Sequence, residues 1–89
     1  MRFEWDRRKA VANLAKHGVA FEEASSVFFD ALSATIPDPD HSAGQARFIT
    51  MGLSSKGRLL VVAHTETAQA LRIISARPAG ASERKRYEA

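Results

Sequence analysis

Cysteine is absent from this 89-residue sequence. Disulfide bonds, thiolate nucleophiles and cysteine redox centres are therefore excluded, and a reducing cytosol is the expected compartment. The three histidines, at positions 17, 41 and 64, do not have the spacing of a zinc site. We therefore expect no metal centre and no other cofactor.

Long apolar runs are absent as well. The longest, from Leu59 to Ala63, is far too short to span a membrane. The opening residues, Met-Arg-Phe-Glu-Trp-Asp, are charged where a secretory signal would be apolar. With no internal repeat or low-complexity tract, residues 1–89 are expected to form a single cytoplasmic domain that buries roughly 60% of its unfolded surface.

Negative charge is scarce in the second half of the chain. Residues 1–40 carry five basic and seven acidic side chains, whereas residues 41–89 carry eight and three, so the balance changes from −2 to +5. An excess of arginine favours a polyanionic partner, most simply nucleic acid, because guanidinium groups match phosphate oxygens. From charge alone, a basic surface that only keeps the protein in solution is an equal alternative.

Apolar spacing and chain breakers predict two helices followed by a mainly antiparallel sheet. In the first helix, the spacing of the apolar stripe indicates that Ala10, Val11, Leu14 and Ala15 face the core. Asp6 is a suitable N-cap, and Gly18 suits the left-handed position after the first helix. Short loops between the last three strands indicate hairpins. The predicted elements are a short strand at Phe3–Trp5, helices from Asp6 to about His17 and from about Phe21 to Phe28, strands at Leu32–Ile36, Arg47–Leu53, Arg58–Glu66 and Leu71–Arg77, and a short terminal helix at Ser82–Tyr87. The fold class is therefore α+β, with the two helices on one face of the sheet.

Two of the predicted strands carry charged or catalysis-capable side chains at their ends. One reads Arg58-Leu-Leu-Val-Val-Ala-His-Thr-Glu66, and the next reads Arg72-Ile-Ile-Ser-Ala-Arg77. A buried sheet does not need these charges, and a strand that leaves the core can present polar groups to a ligand. The pattern favours a functional site near these strand ends.

Motifs along nearly the whole chain resemble one family, the BrnT toxins. The motifs are Phe3-Glu4-Trp5-Asp6, Asn13-Leu14-Ala15-Lys16-His17-Gly18-Val19, Phe21-Glu22-Glu23-Ala24, Pro37-Asp38-Pro39-Asp40-His41-Ser42, the two strands above, Glu83-Arg84 and Tyr87-Glu88. One departure is Ala20, where family members commonly have serine, so the helix that follows lacks its N-terminal capping box.

The resemblance implies a RelE-like fold and a bacterial type II toxin–antitoxin system. A BrnT-like protein is expected to be a ribonuclease that cleaves RNA without metal and inhibits translation. Its implied partner is a BrnA-like antitoxin with a ribbon-helix-helix DNA-binding part. The toxin would bind operator DNA only through this antitoxin. A higher-order toxin–antitoxin assembly is left open. The alternative is a non-catalytic basic interaction module that acts only within a DNA-bound repressor complex.

Metal-independent RNA cleavage needs a base for the 2′-OH, cations for the phosphorane and an acid for the leaving 5′-oxygen. His64 is the first candidate for base or acid, because an imidazole usually titrates near neutral pH. Glu66 lies two residues on, on the same strand face, where it would orient His64, raise its pKa or act as the base. Arg77, and second Arg72, would hold the scissile phosphate. Tyr87 resembles a terminal-helix tyrosine of related nucleases.

Other cations are predicted to contact the RNA backbone, and each has a structural alternative. The predicted contacts are Lys16, His17, Lys56, Arg58 and Arg84. Lys16 and His17 also complement the dipole at the end of the first helix. Arg72 would equally pair with Glu66 across a hairpin. His64 would serve as a hydrogen-bonded structural residue, and Tyr87 as a core anchor.

Overall fold

The computed structural model describes residues 1–38 and 45–89. Within these ranges, five strands form one sheet in the order β1-β5-β4-β3-β2. The strands are β1 (Phe3–Trp5), β2 (Ala34–Pro37), β3 (Arg47–Leu53), β4 (Leu59–Glu66) and β5 (Leu71–Pro78), and the helices are α1 (Arg7–His17), α2 (Phe21–Ser26) and α3 (Ala81–Glu88). Strands β2 to β5 pair antiparallel, while β1 is parallel to β5. The α+β class and the mainly antiparallel sheet are therefore confirmed.

The helices α1 and α2 cover one side of the sheet, which we call the covered face. The core between them contains Val19, Phe21, Ala24, Val27, Leu60, Val62, Leu71, Ile73 and Ala76. Burial of these apolar side chains supplies the main driving force for folding. The side of the sheet that α1 and α2 leave uncovered is the open face, and α3 lies beside it.

The first helix begins and ends as predicted, but its buried stripe differs. Asp6 accepts a hydrogen bond from the Lys9 N–H, and Gly18 has a φ of 69°. The apolar residues Val11 and Leu14 are 65% and 52% exposed, and the buried residue of α1 is Asn13. Its amide donates to the carbonyls of Val19 and Ala76 and accepts from the Ala76 N–H. A polar side chain thus attaches α1 to β5, and the apolar spacing was misleading.

The second helix is shorter than predicted. It ends at Ser26, and a 3₁₀ turn continues it over Val27–Phe29. Ala20 caps it without a side-chain hydrogen bond, as expected from the missing capping box. The turn and the residues after it pack closely on β3 at Gly52. A Cβ at this position would lie 3.0 Å from Val27 Cγ1 and 2.9 Å from Ser33 Cβ. Glycine is required where β3 meets this turn.

The strand predictions hold with small shifts. The strand predicted at Leu32–Ile36 lies at Ala34–Pro37, because the Asp30 carboxylate accepts from the Leu32 N–H and holds that residue in a turn. The strands β1 and β3 lie as predicted, and β4, β5 and α3 differ from the prediction by one residue at one or both ends. The motif at residues 37–42 lies in part outside the described residues, and His41 lies outside them as well. Within the described residues, no helix is long and apolar enough to cross a membrane.

A bulge in β5 determines which side chains share a face. Ala63 pairs with Ser75 and His64 pairs with Ile73, so Ile74 is an extra residue. Strict alternation would place Arg72 and Arg77 on opposite faces. The bulge reverses the alternation, so that both arginines lie on the open face.

Candidate active site

His64 lies on the covered face, enclosed by the core. Its side chain is fully buried. The ring is stacked on Phe48, with centroids 5.9 Å apart, and meets Phe28 edge to face at 4.9 Å. Its Nε2 is 2.7 Å from Thr50 Oγ1, which is 2.6 Å from Thr35 Oγ1. A chain of three polar side chains therefore crosses β4, β3 and β2 beneath the helices.

Two expectations about the titration of His64 are wrong. Its pKa is lowered to about 4 because burial disfavours the charged imidazolium. Glu66 is on the same face, as predicted, with its Oε1 3.8 Å from His64 Nδ1. This carboxylate is 48% exposed and does not raise the pKa, since desolvation of the ring dominates. His64 is therefore a neutral side chain at neutral pH.

Arg77 lies on the open face at the end of β5, where it binds α3. Its two terminal nitrogens donate to the two carboxylate oxygens of Glu83, each at 2.9 Å. This bidentate bond lowers the pKa of Glu83 to about 2 and raises that of Arg77. Glu83 also accepts from the Gly80 N–H at 2.8 Å, which caps α3. The guanidinium thus already holds a carboxylate in the geometry that suits a phosphate.

Arg72 forms an ion pair with Glu4 on β1, at 3.6 Å. The expected partner was Glu66, but Glu66 lies on the covered face and Arg72 on the open face. The alternative of a pair across the β4–β5 hairpin is therefore wrong. The guanidinium of Arg72 joins the edge strand β1 to β5.

A cleft of about 190 Å³ opens on the open face beside Arg77, and we call it the Arg77 cleft. Its lining consists of His17, Asp38, Arg47, Ile49, Val61, Ala63, Ser75, Ala76 and Arg77. Arg47 Nε lies 3.8 Å from Asp38 Oδ2, and the Asp38 N–H donates to the Arg47 carbonyl at 2.8 Å. The cleft therefore combines two arginines, an imidazole and a hydroxyl at one concave surface. Of the predicted site residues, it brings together Arg77 and His17.

A second cleft of about 270 Å³ lies between β2, β3 and α3, and we call it the Tyr87 groove. It is lined by Leu32, Ala34, Ile36, Ile49, Met51, Val61, Glu83, Arg86 and Tyr87. The Tyr87 hydroxyl forms a short hydrogen bond with the Asp30 carboxylate, which lowers the pKa of Asp30 and raises that of Tyr87. Ile49 and Val61 line both clefts, so the two are adjacent.

The remaining predicted RNA contacts are dispersed. Arg58 donates to both oxygens of Glu23, at 2.5 and 2.9 Å, and to the Gly18 carbonyl at 3.0 Å. It thereby ties β4 to the junction of α1 and α2, and it lowers the pKa of Glu23. Lys56 lies in the exposed β3–β4 turn beside it. Arg84 faces Glu88 within α3 at 3.8 Å, and Lys16 lines a shallow cleft with His17 and Ser75.

Sequence reasoning missed Arg47, Ser75 and Asp38 as members of the Arg77 cleft. Arg47 and Arg77 come from strands on either side of β4, and β4 places Val61 and Ala63 between them. The predicted hairpin, with its loop at residues 54–57, pairs Leu53 with Arg58 and therefore Arg47 with His64, whereas Arg47 pairs with Thr65 in the structure. This shift of one residue places Arg47 on the face opposite to the one that the predicted register implies. Ser75 depends on the bulge, which no residue pattern announces.

Comparison with known proteins agrees with this architecture. The family model of BrnT, described as the ribonuclease toxin of a type II toxin–antitoxin system, matches residues 5–83. The crystal structure of the Brucella abortus ribonuclease toxin BrnT is similar, with a TM-score of 0.70 and 25% sequence identity over 90% of this chain and 97% of that chain. No curated protein matches the sequence.

The fold and these matches define the class, a small α+β ribonuclease toxin. More closely, the chain belongs to the BrnT family of type II toxin–antitoxin systems.

Proposed function

We propose that the protein cleaves RNA without a metal ion, inhibits translation in the cytoplasm, and is neutralised by a BrnA-like antitoxin. The antitoxin would supply the ribbon-helix-helix part that binds operator DNA. Membership of the BrnT family supports this function. The observation that carries it here is the Arg77 cleft, where Arg77, Arg47 and His17 line one surface.

The Arg77 cleft suggests a division of roles. A scissile phosphate held by Arg77 and Arg47 would have its developing charge stabilised by two guanidinium groups. His17 would take the proton of the 2′-OH as the 2′-oxygen attacks phosphorus, and the resulting imidazolium would give a proton to the leaving 5′-oxygen. Imidazole is the side chain most often used for such transfers. The products would be a 2′,3′-cyclic phosphate and a free 5′-hydroxyl.

This proposal changes the roles expected for several residues. His64 and Glu66 lie on the covered face, and His64 is enclosed and neutral. We propose that His64 is a structural residue and that Glu66 is not a base. Arg72 would stabilise the fold through its ion pair with Glu4. Tyr87 would position α3 through Asp30 rather than contact RNA.

The test is to express the protein without its antitoxin and to map RNA ends by primer extension. Growth arrest with new RNA ends is expected. The purified protein should cleave the same RNA equally well in excess EDTA and in Mg²⁺. Loss of cleavage in EDTA would contradict the metal-independent mechanism, and arrest with intact RNA would contradict the nuclease itself.

One observation favours the alternative, a non-catalytic basic module. Arg77 already binds Glu83, and Arg47 faces Asp38, so each cation of the cleft has an acidic residue beside it. A folded protein that neither arrests growth nor cleaves RNA, yet binds its antitoxin and increases operator affinity, would establish that function instead.

A further inference from the structure

Among the described residues, two pairs of exposed aliphatic side chains lie on different sides of the molecule. One is the α1 patch, Val11 and Leu14 on α1, which are 65% and 52% exposed. The other is Leu32 and Ile36, which are 73% and 56% exposed and line the Tyr87 groove. Large exposed aliphatic side chains that border a concave surface are typical of a protein-binding site.

The Tyr87 groove differs from the α1 patch in what lies next to it. It shares Ile49 and Val61 with the Arg77 cleft and therefore lies directly beside it. An occupant of the groove would therefore lie against the entrance of the cleft. An occupant of the α1 patch would leave the open face accessible.

The rim of the groove indicates the charge of its occupant. Arg86 lines the groove, and it follows Arg84 and Lys85 in α3. Glu83 shows that a carboxylate fits the guanidinium of Arg77, with both oxygens bound at 2.9 Å. A segment with apolar side chains on one side and carboxylates on the other complements this surface.

We propose that the Tyr87 groove is the docking surface of the antitoxin. An amphipathic antitoxin segment packs its apolar side chains on Leu32 and Ile36 and directs carboxylates to Arg86 and Arg77. It silences the toxin by covering the Arg77 cleft. The proposal rests on the proposed function in that the covered cleft is the ribonuclease site.

The test measures antitoxin affinity and RNA cleavage separately. The antitoxin is purified as the co-expressed product of the reading frame that adjoins the toxin gene. Leu32→Asp and Ile36→Asp should each weaken its binding by about 100-fold or more, because docking would bury an unpaired carboxylate. Cleavage by the free variants should stay within about twofold of wild type, since neither side chain lines the Arg77 cleft.

The control variants are Val11→Asp and Leu14→Asp on the α1 patch, which should leave antitoxin affinity unchanged. Circular dichroism checks that all four variants fold. Unchanged affinity of the Leu32 and Ile36 variants, or an equal loss in the Leu14 variant, would overturn the proposal. So would a toxin dimer that Ile36→Asp dissociates while antitoxin binding persists. Affinity is measured even if wild-type protein cleaves nothing, so failure of the nuclease and failure of the docking surface are distinguishable.

Discussion

The two faces of the sheet use polar side chains in opposite ways. On the covered face, the buried side chains of Asn13 and Thr50 and the Nε2 of His64 are hydrogen-bonded within the fold, whereas His64 Nδ1 has Glu66 Oε1 only at 3.8 Å. On the open face, Arg77 is half-exposed, and its carboxylate partner belongs to a helix with no buried residue. Because a buried polar group without a partner is costly, the hydrogen bonds of the covered face contribute mainly to stability. The exchangeable ion pair of the open face is suited to binding.

The largest expected effect separates two arginines of nearly equal exposure. Arg77→Ala should lower RNA cleavage by about 100-fold or more, because it removes a cation from the developing phosphorane. Arg72 is the matched control, since its side chain is 47% exposed against 46% for Arg77 and it also forms an ion pair. Arg72→Ala should retain cleavage within a few-fold. The initial rate of cleavage of one RNA is measured for each variant. An equal loss of activity in Arg77→Ala and Arg72→Ala would show that the Arg77 cleft is no more important than the rest of the open face.

The second prediction concerns the two histidines. His64→Ala should reduce the free energy of unfolding by about 2 to 4 kcal/mol, because it leaves a cavity and removes one of the two hydrogen bonds of Thr50. His17→Ala, at the half-buried end of α1, should cost less than about 1 kcal/mol. Denaturant titration measures both. A His64→Ala variant of wild-type stability would show that the ring is not part of the core.

The covered face should also respond to pH. His64 takes up its proton near pH 6.5 when unfolded but only near pH 4 when folded. The unfolded state therefore binds more protons between these values, and the free energy of unfolding should fall as pH falls from 6.5 to 4, by up to about 3 kcal/mol. The His64→Gln variant should lack this contribution. Parallel curves for wild type and variant would mean that His64 titrates normally.

The smallest expected effect is the change in RNA affinity when the Arg77–Glu83 ion pair is removed. Glu83→Gln should increase affinity for RNA about two- to fivefold, because it removes the negative charge that competes with phosphate for Arg77. The increase is small because a partly exposed ion pair is weak. Fluorescence anisotropy with a 2′-O-methyl oligonucleotide measures the change without cleavage. Glu88→Gln is the control, since Glu88 pairs with Arg84 away from the cleft. Weaker binding by Glu83→Gln would show that the pair helps to form the site.

Most of the fold could be predicted because its signals are local. Asp6 and Gly18 delimit α1, and the pattern of Arg47 to Leu53 predicted β3 to the residue. Asn13 could not be foreseen as the buried residue of α1, because its amide is satisfied by backbone at Ala76, distant in sequence. Non-local hydrogen bonds leave no periodicity.

The candidate site was harder to predict than the fold. His64 and Arg77 were both recognised as unusual strand residues, but the sheet separates them. The unpaired Ile74 determines the face of Arg77, and the hairpin partners of β4 determine that of Arg47. Two residues on neighbouring strands therefore did not have to lie on the same face of the sheet.

The central claim is that RNA occupies the open face. Its most direct test is ¹⁵N NMR of the protein titrated with a 2′-O-methyl RNA that cannot be cleaved. We expect backbone resonances of Arg47, Ser75 and Arg77 to shift, while those of Thr50 and His64, beneath the helices, stay in place. Shifts concentrated at His64 and Glu66, with Arg77 unaffected, would contradict the account.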